Sequence, residues 1–221
     1  GVAIGYDSRA MSKEFALETA KTLAALGVRA YLFPALRPVP MLSFALRHLH
    51  CIAGVVVTAS HNPPEYNGFK VYWEHGGQAG PEEAREIYLR MRRVDYFDVQ
   101  VMEEAQARRA GLIQTIGAEV DEAYYEATAS LLQWPRMLRE KGGDLQLVYT
   151  PLHGSGLVPV TELLARVGLT NVSVVEAQAL PDPRFPTVQA PNPEDPEAFT
   201  LARALADACQ ADAIFATDPD A

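Results

Sequence analysis

Ile52-Ala53-Gly54-Val55-Val56-Val57 runs into Thr58-Ala59-Ser60-His61-Asn62-Pro63-Pro64, and this junction decides how the chain is read. The valine-rich run has the character of a strand buried on both faces. Pro63 and Pro64 lack backbone donors and Asn62 favours turns, so the strand cannot continue. Ser60 is therefore expected on a loop at the carboxyl end of a strand, the end where ligands bind in open α/β sheets. A lone serine in such a loop is also the mark of a solvated turn, and the surrounding sequence has to separate the two.

Upstream, Val2 to Tyr6 is strand-like and ends in Asp7-Ser8-Arg9. Ser12 is expected to cap a helix running to about Leu26, with Phe15, Thr19, Leu23 and Leu26 near one face and Gly27 as its stop. Val28 to Phe33 is the next strand, Pro34, Pro38 and Pro40 stiffen a loop, and Met41 to Leu49 is helical. Strand, helix, strand, helix, strand predicts a parallel sheet. Downstream, Phe69 to Trp73 is a short strand, and Pro81 opens a helix with Glu82 and Glu83 in its first turn and Arg90, Arg92 and Arg93 at its end. Periodicity weakens over 95–114, where the domain junction is placed. Residues 119–132 read as a helix with Val120, Tyr124, Ala127 and Leu131 on one face, broken by Trp134-Pro135 and Gly142-Gly143.

A second series follows. Strands are expected at Leu145 to Tyr149, Val172 to Val175 and Ala213 to Thr217, helices at Val158 to Val167 and Pro196 to Cys209, and loops at Thr150 to Gly156 and Ala177 to Pro196. The predicted fold class is α/β: two consecutive three-layer α/β domains with mainly parallel, mixed sheets, spanning 1–114 and 115–221.

The chain has 221 residues, 48% hydrophobic and 21% charged, an ordinary globular composition. A net charge of -9 argues against a general nucleic-acid surface, while leaving room for a locally basic site that takes an anion. Cys51 and Cys209 have no metal-ligand spacing and form no disulfide framework, so a reducing, cytoplasmic setting is expected. No apolar run reaches transmembrane length and no basic-then-apolar leader is seen, so no membrane partner is expected. Gly1 enters a strand directly, and Asp218-Pro219-Asp220-Ala221 stops just after one. The chain is therefore expected to be part of a longer protein.

Several residues carry chemistry, each with a plainer alternative. A serine nucleophile needs a base or a group that stabilises its adduct. His61 adjoins Ser60, but neighbouring side chains on a loop diverge, and a triad base would come from a distant element. Ser155 lacks the glycine two positions earlier that a nucleophile elbow requires, which disfavours acyl transfer. Asp218 and Asp220 offer hard oxygen ligands suited to Mg²⁺, or form a solvated Asp-Pro turn. Lys70 can turn back toward Ser60 as counter-ion or proton carrier, or remain a solvated edge lysine. Arg9 lies on the same sheet edge as Ser60 and can hold a phosphate or serve the structure. Thr150 to Gly156 can meet an anion with backbone N–H groups or form a tight turn in which His153 satisfies backbone. It fails G-x-G-x-x-G at Pro159 and has no Walker lysine.

The order of these signals is specific. Gly5-Tyr6-Asp7-Ser8-Arg9, Thr58 to Pro63, Asn67-Gly68-Phe69-Lys70-Val71-Tyr72 and Asp218-Pro219-Asp220-Ala221 together resemble the α-D-phosphohexomutases, which include phosphoglucomutases and phosphomannomutases. Thr150 to Gly156, Phe185-Pro186-Thr187 and Pro191-Asn192-Pro193-Glu194 look like the phosphoglucomutase and phosphopentomutase branch. The resemblance implies a phosphoryl group carried on Ser60 and moved between C1 and C6 of a sugar phosphate, or C5 of a pentose, through a bisphosphate. It implies Lys70 as proton-transfer residue, and His61 and Arg9 beside the phosphoserine. It also implies Mg²⁺ held by Ser60, Asp218 and Asp220, a glucose 1,6-bisphosphate-type activator, and a small-molecule sugar phosphate as the partner. The family's metal loop continues with a third Asp and an Arg beyond the position of Ala221, and its third and fourth domains are absent. The chain is thus expected to be a fragment of a four-domain enzyme, inactive alone. Glucose is the first choice of sugar, with phosphomannomutase and phosphopentomutase as alternatives. From other classes, the alternatives are a haloacid-dehalogenase-like phosphatase with Asp218 as nucleophile and a non-catalytic sugar-phosphate-binding module.

Overall fold

The structure is a computed structural model describing residues 1–221. The first unit comprises β1 (Val2–Tyr6), α1 (Ser12–Ala25), β2 (Ala30–Leu32), α2 (Val39–His48), β3 (Ala53–Val57), β4 (Phe69–Trp73), α3 (Pro81–Met91), a 3₁₀ turn at Tyr96–Asp98, α4 (Glu104–Arg109), β5 (Ile113–Thr115) and α5 (Ala118–Ala129). Its sheet has the order β4-β3-β1-β2-β5, parallel except for the antiparallel pair β3–β4. The second unit comprises α6 (Pro135–Lys141), a 3₁₀ turn at Gly142–Asp144, β6 (Leu147–Thr150), α7 (Leu157–Arg166), β7 (Val172–Val174), α8 (Glu176–Ala179), a 3₁₀ turn at Pro196–Phe199 that runs into α9 (Thr200–Cys209), and β8 (Ala213–Ala216). Its sheet, β7-β6-β8, is wholly parallel. No helix is long and apolar enough to cross a membrane.

The first sheet is covered on both faces, which is why β3 reads as an unbroken apolar run. Ala16, Ala20 and Ala24 of α1 and Ala107 of α4 pack on Ile4, Val55 and Val57. Leu42, Ala45 and Leu46 of α2 and Val120 of α5 pack on Ala3, Val56 and Tyr72. The second core is smaller, with Val148, Val175 and Ala202 at its centre and Phe199, Leu205 and Ile214 around them.

Four expectations are corrected. The face of α1 turned to the sheet is Ser12, Ala16, Ala20 and Ala24, while Phe15 is 46% and Leu26 71% exposed. Alanine lets the helix backbone approach the strands closely but adds little apolar signal to the sequence. Nor does Ser12 cap that helix: Met11 precedes it with a left-handed φ of 64°, and Ser12 Oγ donates to Asp7 Oδ1. Likewise α5 buries Val120 and Tyr125, leaving Leu131 in solvent. Finally, the junction drawn between 114 and 115 falls inside β5, whose residues pair with Ala30–Leu32 of β2. Ile116 and Val120 then enter the first core. A three-residue strand with one apolar side chain is too short to show an alternation.

The alanine face yields a test. Ala20→Leu overpacks a fully buried site and should cost about 1–3 kcal/mol in urea unfolding, whereas Phe15→Ser on the exposed side should stay within about 0.5 kcal/mol.

Both sheets have a switch point. From β1 the chain moves to β2 on one side, then through α2 to β3 on the other. From β6 it moves to β7 on one side, then through α9 to β8 on the other. Crevices therefore open past the carboxyl ends of β1 and β3, and of β6 and β8, where ligands bind in such sheets. The two crevices meet. The Asp220 carbonyl, four residues beyond β8, accepts the Val39 N–H at the start of α2 at 2.8 Å.

Candidate active site

Ser60 projects from the loop after β3 with a left-handed φ of 52°, a conformation a non-glycine residue keeps only when its surroundings impose it. The loop is pinched at its base. Thr58 N–H donates to the Gly68 carbonyl at 3.1 Å, and a Cβ on Gly68 would lie 2.5 Å from the Thr58 oxygen, so only glycine fits. Inside the pinch, Thr58 Oγ1 accepts Ser60 N–H at 2.9 Å. That hydroxyl also lies 2.7 Å from Asp7 Oδ2 and 3.1 Å from Asp220 Oδ2. Its single proton serves one carboxylate at a time.

The loop after β8 brings the acids. Ser60 Oγ is 2.7 Å from Asp218 Oδ2 and 3.2 Å from Asp220 Oδ1. Lys70, on β4, donates from Nζ to Asp220 Oδ2 at 2.7 Å. Burial and the neighbouring Asp220 charge push the Asp218 carboxyl above its ordinary range. Burial acts the same way on Asp220, but the Lys70 ammonium outweighs it and holds that carboxyl below the ordinary range. The acidic loop is seated from β6's side. Ser155 donates both N–H and Oγ–H to the Pro219 carbonyl at 2.9 Å, and a Cβ on Gly154 would meet Pro219 Cα at 2.5 Å. Tyr149 hydrogen-bonds Thr217 Oγ1 at 2.8 Å, and burial pushes its phenol up to about 12.

Arg9 lies beneath the loop and is almost wholly buried. Nη1 donates to the Pro63 and Tyr66 carbonyls at 2.8 and 2.9 Å, and Nη2 to those of Ser60 and Asn62 at 2.6 and 2.5 Å. All four Nη hydrogens are thereby used, so Arg9 holds the loop and has none left on those nitrogens for a phosphate. Asp7 receives the Arg9 N–H, Ser12 Oγ–H and Thr58 Oγ–H. Burial still raises its carboxyl above the usual range.

Of the residues singled out in the sequence, Ser60, Lys70, Asp218 and Asp220 converge. His61 stands at the rim, half-exposed, with Nδ1 3.8 Å from Asp218 Oδ2. His153 serves the structure. Its Nδ1 meets the Leu180 carbonyl at 3.2 Å, which makes Nδ1 the donor, and Nε2 then accepts from Thr187 Oγ1 at 2.9 Å. Three participants were not identified from the sequence: Asp7, Thr58 and Phe185. Asp7 and Thr58 lay inside the quoted motifs and differed in nothing from turn residues. Phe185, whose ring centroid is 5.1 Å from the Arg9 guanidinium carbon, comes from 176 positions away.

The donor set fits Mg²⁺. Two carboxylates and a hydroxyl, all hard oxygens, converge on one point, and no third His, Cys, Asp or Glu joins them. A serine oxygen at a strand end, a hard-oxygen donor pair and a fixed ammonium are the parts that phosphoryl transfer on a serine calls for. Residues 1–97 match the model for phosphoglucomutase/phosphomannomutase, alpha/beta/alpha domain I, and residues 122–221 match that for domain II. The chain belongs to the phosphoglucomutase/phosphomannomutase family.

Among similar proteins, one from Haemophilus influenzae named as a probable phosphomannomutase is 40% identical over the whole chain, which covers 44% of that protein. A phosphoglucomutase of Staphylococcus saprophyticus is 37% identical, and the chain covers 39% of it. The crystal structure of a Thermus thermophilus protein described as a phosphomannomutase matches with a TM-score of 0.83 at 31% identity, over 100% of this chain and 46% of that one. The chain thus spans less than half the length of the relatives it matches.

Proposed function

We propose that this chain forms the phosphoryl-carrying part of a phosphohexomutase, with glucose phosphate as the first choice of substrate. Ser60 gives its phosphoryl group to the free hydroxyl of a sugar monophosphate, making a bisphosphate, and then takes back the phosphoryl group at the bisphosphate's other end, so that phosphate moves between the C1 and C6 oxygens, or C5 in a pentose. The observation that carries this reading is the 2.7 Å approach of Ser60 Oγ to Asp218 Oδ2, made between loops of two different sheets. In the return step the Ser60 Oγ–P bond forms and the P–O bond to the sugar breaks. The Ser60 proton goes to Asp218 Oδ2, 2.7 Å away, and the sugar oxygen leaves as a hydroxyl after protonation from Lys70. Asp220 fixes Lys70 in place through the 2.7 Å contact. His61, at the rim, faces the phosphoryl group, and Arg9 holds the loop at the angle the transfer needs.

Ser60, Asp218 and Asp220 would hold Mg²⁺, which when bound neutralises charge on the transferring phosphoryl oxygens. A glucose 1,6-bisphosphate-type activator would supply the first phosphoryl group. Both cysteines are free thiols, in keeping with a reducing cytoplasmic setting.

Intact-mass spectrometry after incubation with glucose 1,6-bisphosphate and Mg²⁺ tests the assignment. The full-length wild-type protein should gain one phosphoryl mass, mapped to Ser60, and its Ser60→Ala variant should gain none. A phosphate mapped to Asp218 would transfer the assignment to an aspartyl phosphatase chemistry, and no phosphate at all would overturn it.

A further inference from the structure

Phe185 belongs to the second unit, yet its ring lies against the buried guanidinium of the first. It is fully buried and held at a left-handed φ of 47°. A phenylalanine tolerates that conformation only where the local structure enforces it. Here the turn is closed by Phe185 N–H to the Asp182 carbonyl and by Val188 N–H to the Phe185 carbonyl, both at 3.1 Å. The Asp182 N–H in turn donates to the His153 carbonyl at 3.3 Å. The ring is thus anchored to the loop after β6, the same loop whose Ser155 seats the acidic loop. On the other side of the ring contact, Arg9 gives its four Nη hydrogens to the carbonyls of Ser60, Asn62, Pro63 and Tyr66.

A guanidinium over an aromatic face is attracted by the ring quadrupole, more strongly when both are out of water. With the guanidinium carbon held over the ring, 5.1 Å from its centroid, a swing of the Arg9 head away from the ring loses that contact. The four carbonyls depend on that position, since the planar fork donates only within its own plane. We propose that Phe185 is a positioning residue for Ser60: it holds the head of Arg9, and Arg9 sets the Ser60 loop. The loop that carries the serine is therefore ordered from the second unit, in register with the aspartates that the same unit supplies. The consequence for catalysis rests on the reading of Ser60 as the phosphoryl carrier; the ordering of the loop does not.

Hydrogen exchange over residues 59–67 of this chain, together with the Arg side-chain NMR spectrum, tests it. In the wild type the Arg9 Nη protons should be resolved and shifted upfield by the ring. Phe185→Leu keeps apolar bulk without a π face. It should remove that shift and speed exchange of the Ser60, Asn62 and Tyr66 amides by about tenfold, while exchange in β1 stays within about twofold. Phe185→Met is the second variant if leucine prevents folding. Arg9→Lys should speed the same amides, and adding Phe185→Leu to it should change them little further. The proposal is overturned if Phe185→Leu leaves the loop amides unchanged, if it speeds β1 equally, or if the two substitutions add in full. Failure of Ser60 to take up phosphate would end the functional reading and leave these exchange results to judge Phe185 alone.

Discussion

Ser60→Ala in the full-length protein should lower phosphosugar mutase turnover by at least about 10³-fold. In the proposed mechanism the hydroxyl oxygen is the atom to which the phosphoryl group bonds, and no other hydroxyl replaces it: Thr58 Oγ1, the nearest candidate along the chain, is buried between Asp7 and Asp220 and braces the Ser60 amide. The fold should barely register the change. Alanine at φ 52° is strained to the same degree as serine, and the loss is one side-chain hydrogen bond to Asp218, about 1 kcal/mol. Steady-state assay of glucose 1-phosphate isomerisation, paired with urea unfolding, separates the two effects. Turnover within tenfold of wild type would remove Ser60 from the mechanism.

Arg9→Met should be the most destabilising single change at the site, at about 3–5 kcal/mol. The guanidinium and the Asp7 carboxylate are both buried, with Nε 3.4 Å from Oδ2. Removing the cation leaves the Ser60, Asn62 and Tyr66 carbonyls without donors, the Pro63 carbonyl with only the Tyr66 N–H, and Asp7 without its counter-charge. Asp7 would keep hydrogen bonds from Ser12 and Thr58, and burial already favours its neutral form, so protonation recovers part of the loss. Arg9→Lys should recover little, because an ammonium cannot reach four carbonyls laid out around a planar fork. Urea unfolding followed by circular dichroism measures the difference. A cost below about 1 kcal/mol would mean that the Ser60 loop holds its shape without the clamp.

Arg9 also shows what a linear reading misses. Its place after β1 put it on the correct sheet edge, and a basic side chain there could as well meet a phosphate as the backbone. The carbonyls that take its hydrogens belong to residues 51 to 57 positions further on, at a loop whose path is set by the Gly68 pinch. Lys70 was more legible. Its strand is antiparallel to β3 with Val56 opposite Lys70, so the fold-back that returns it toward the Ser60 loop is short and local. The α1 face was misread for a different reason: close helix–sheet packing selects alanine, the residue that pattern reading weighs least.

Order along the chain determined the two α/β units, because strands that end in Pro- and Asp-rich turns and helices that end at Gly27 and Gly168 need no distant partner to be recognised. It also singled out Ser60, Lys70, Asp218 and Asp220, since oxygen nucleophile, ammonium and hard-oxygen ligands are properties of residue type. Tertiary structure alone decided that 158 residues of separation close to 2.7 Å between Ser60 and Asp218. It alone decided that Arg9 clamps a loop and that Phe185 lies against it. Those contacts arise where two switch points meet face to face, and the meeting depends on how two independently legible sheets dock, which no local pattern records.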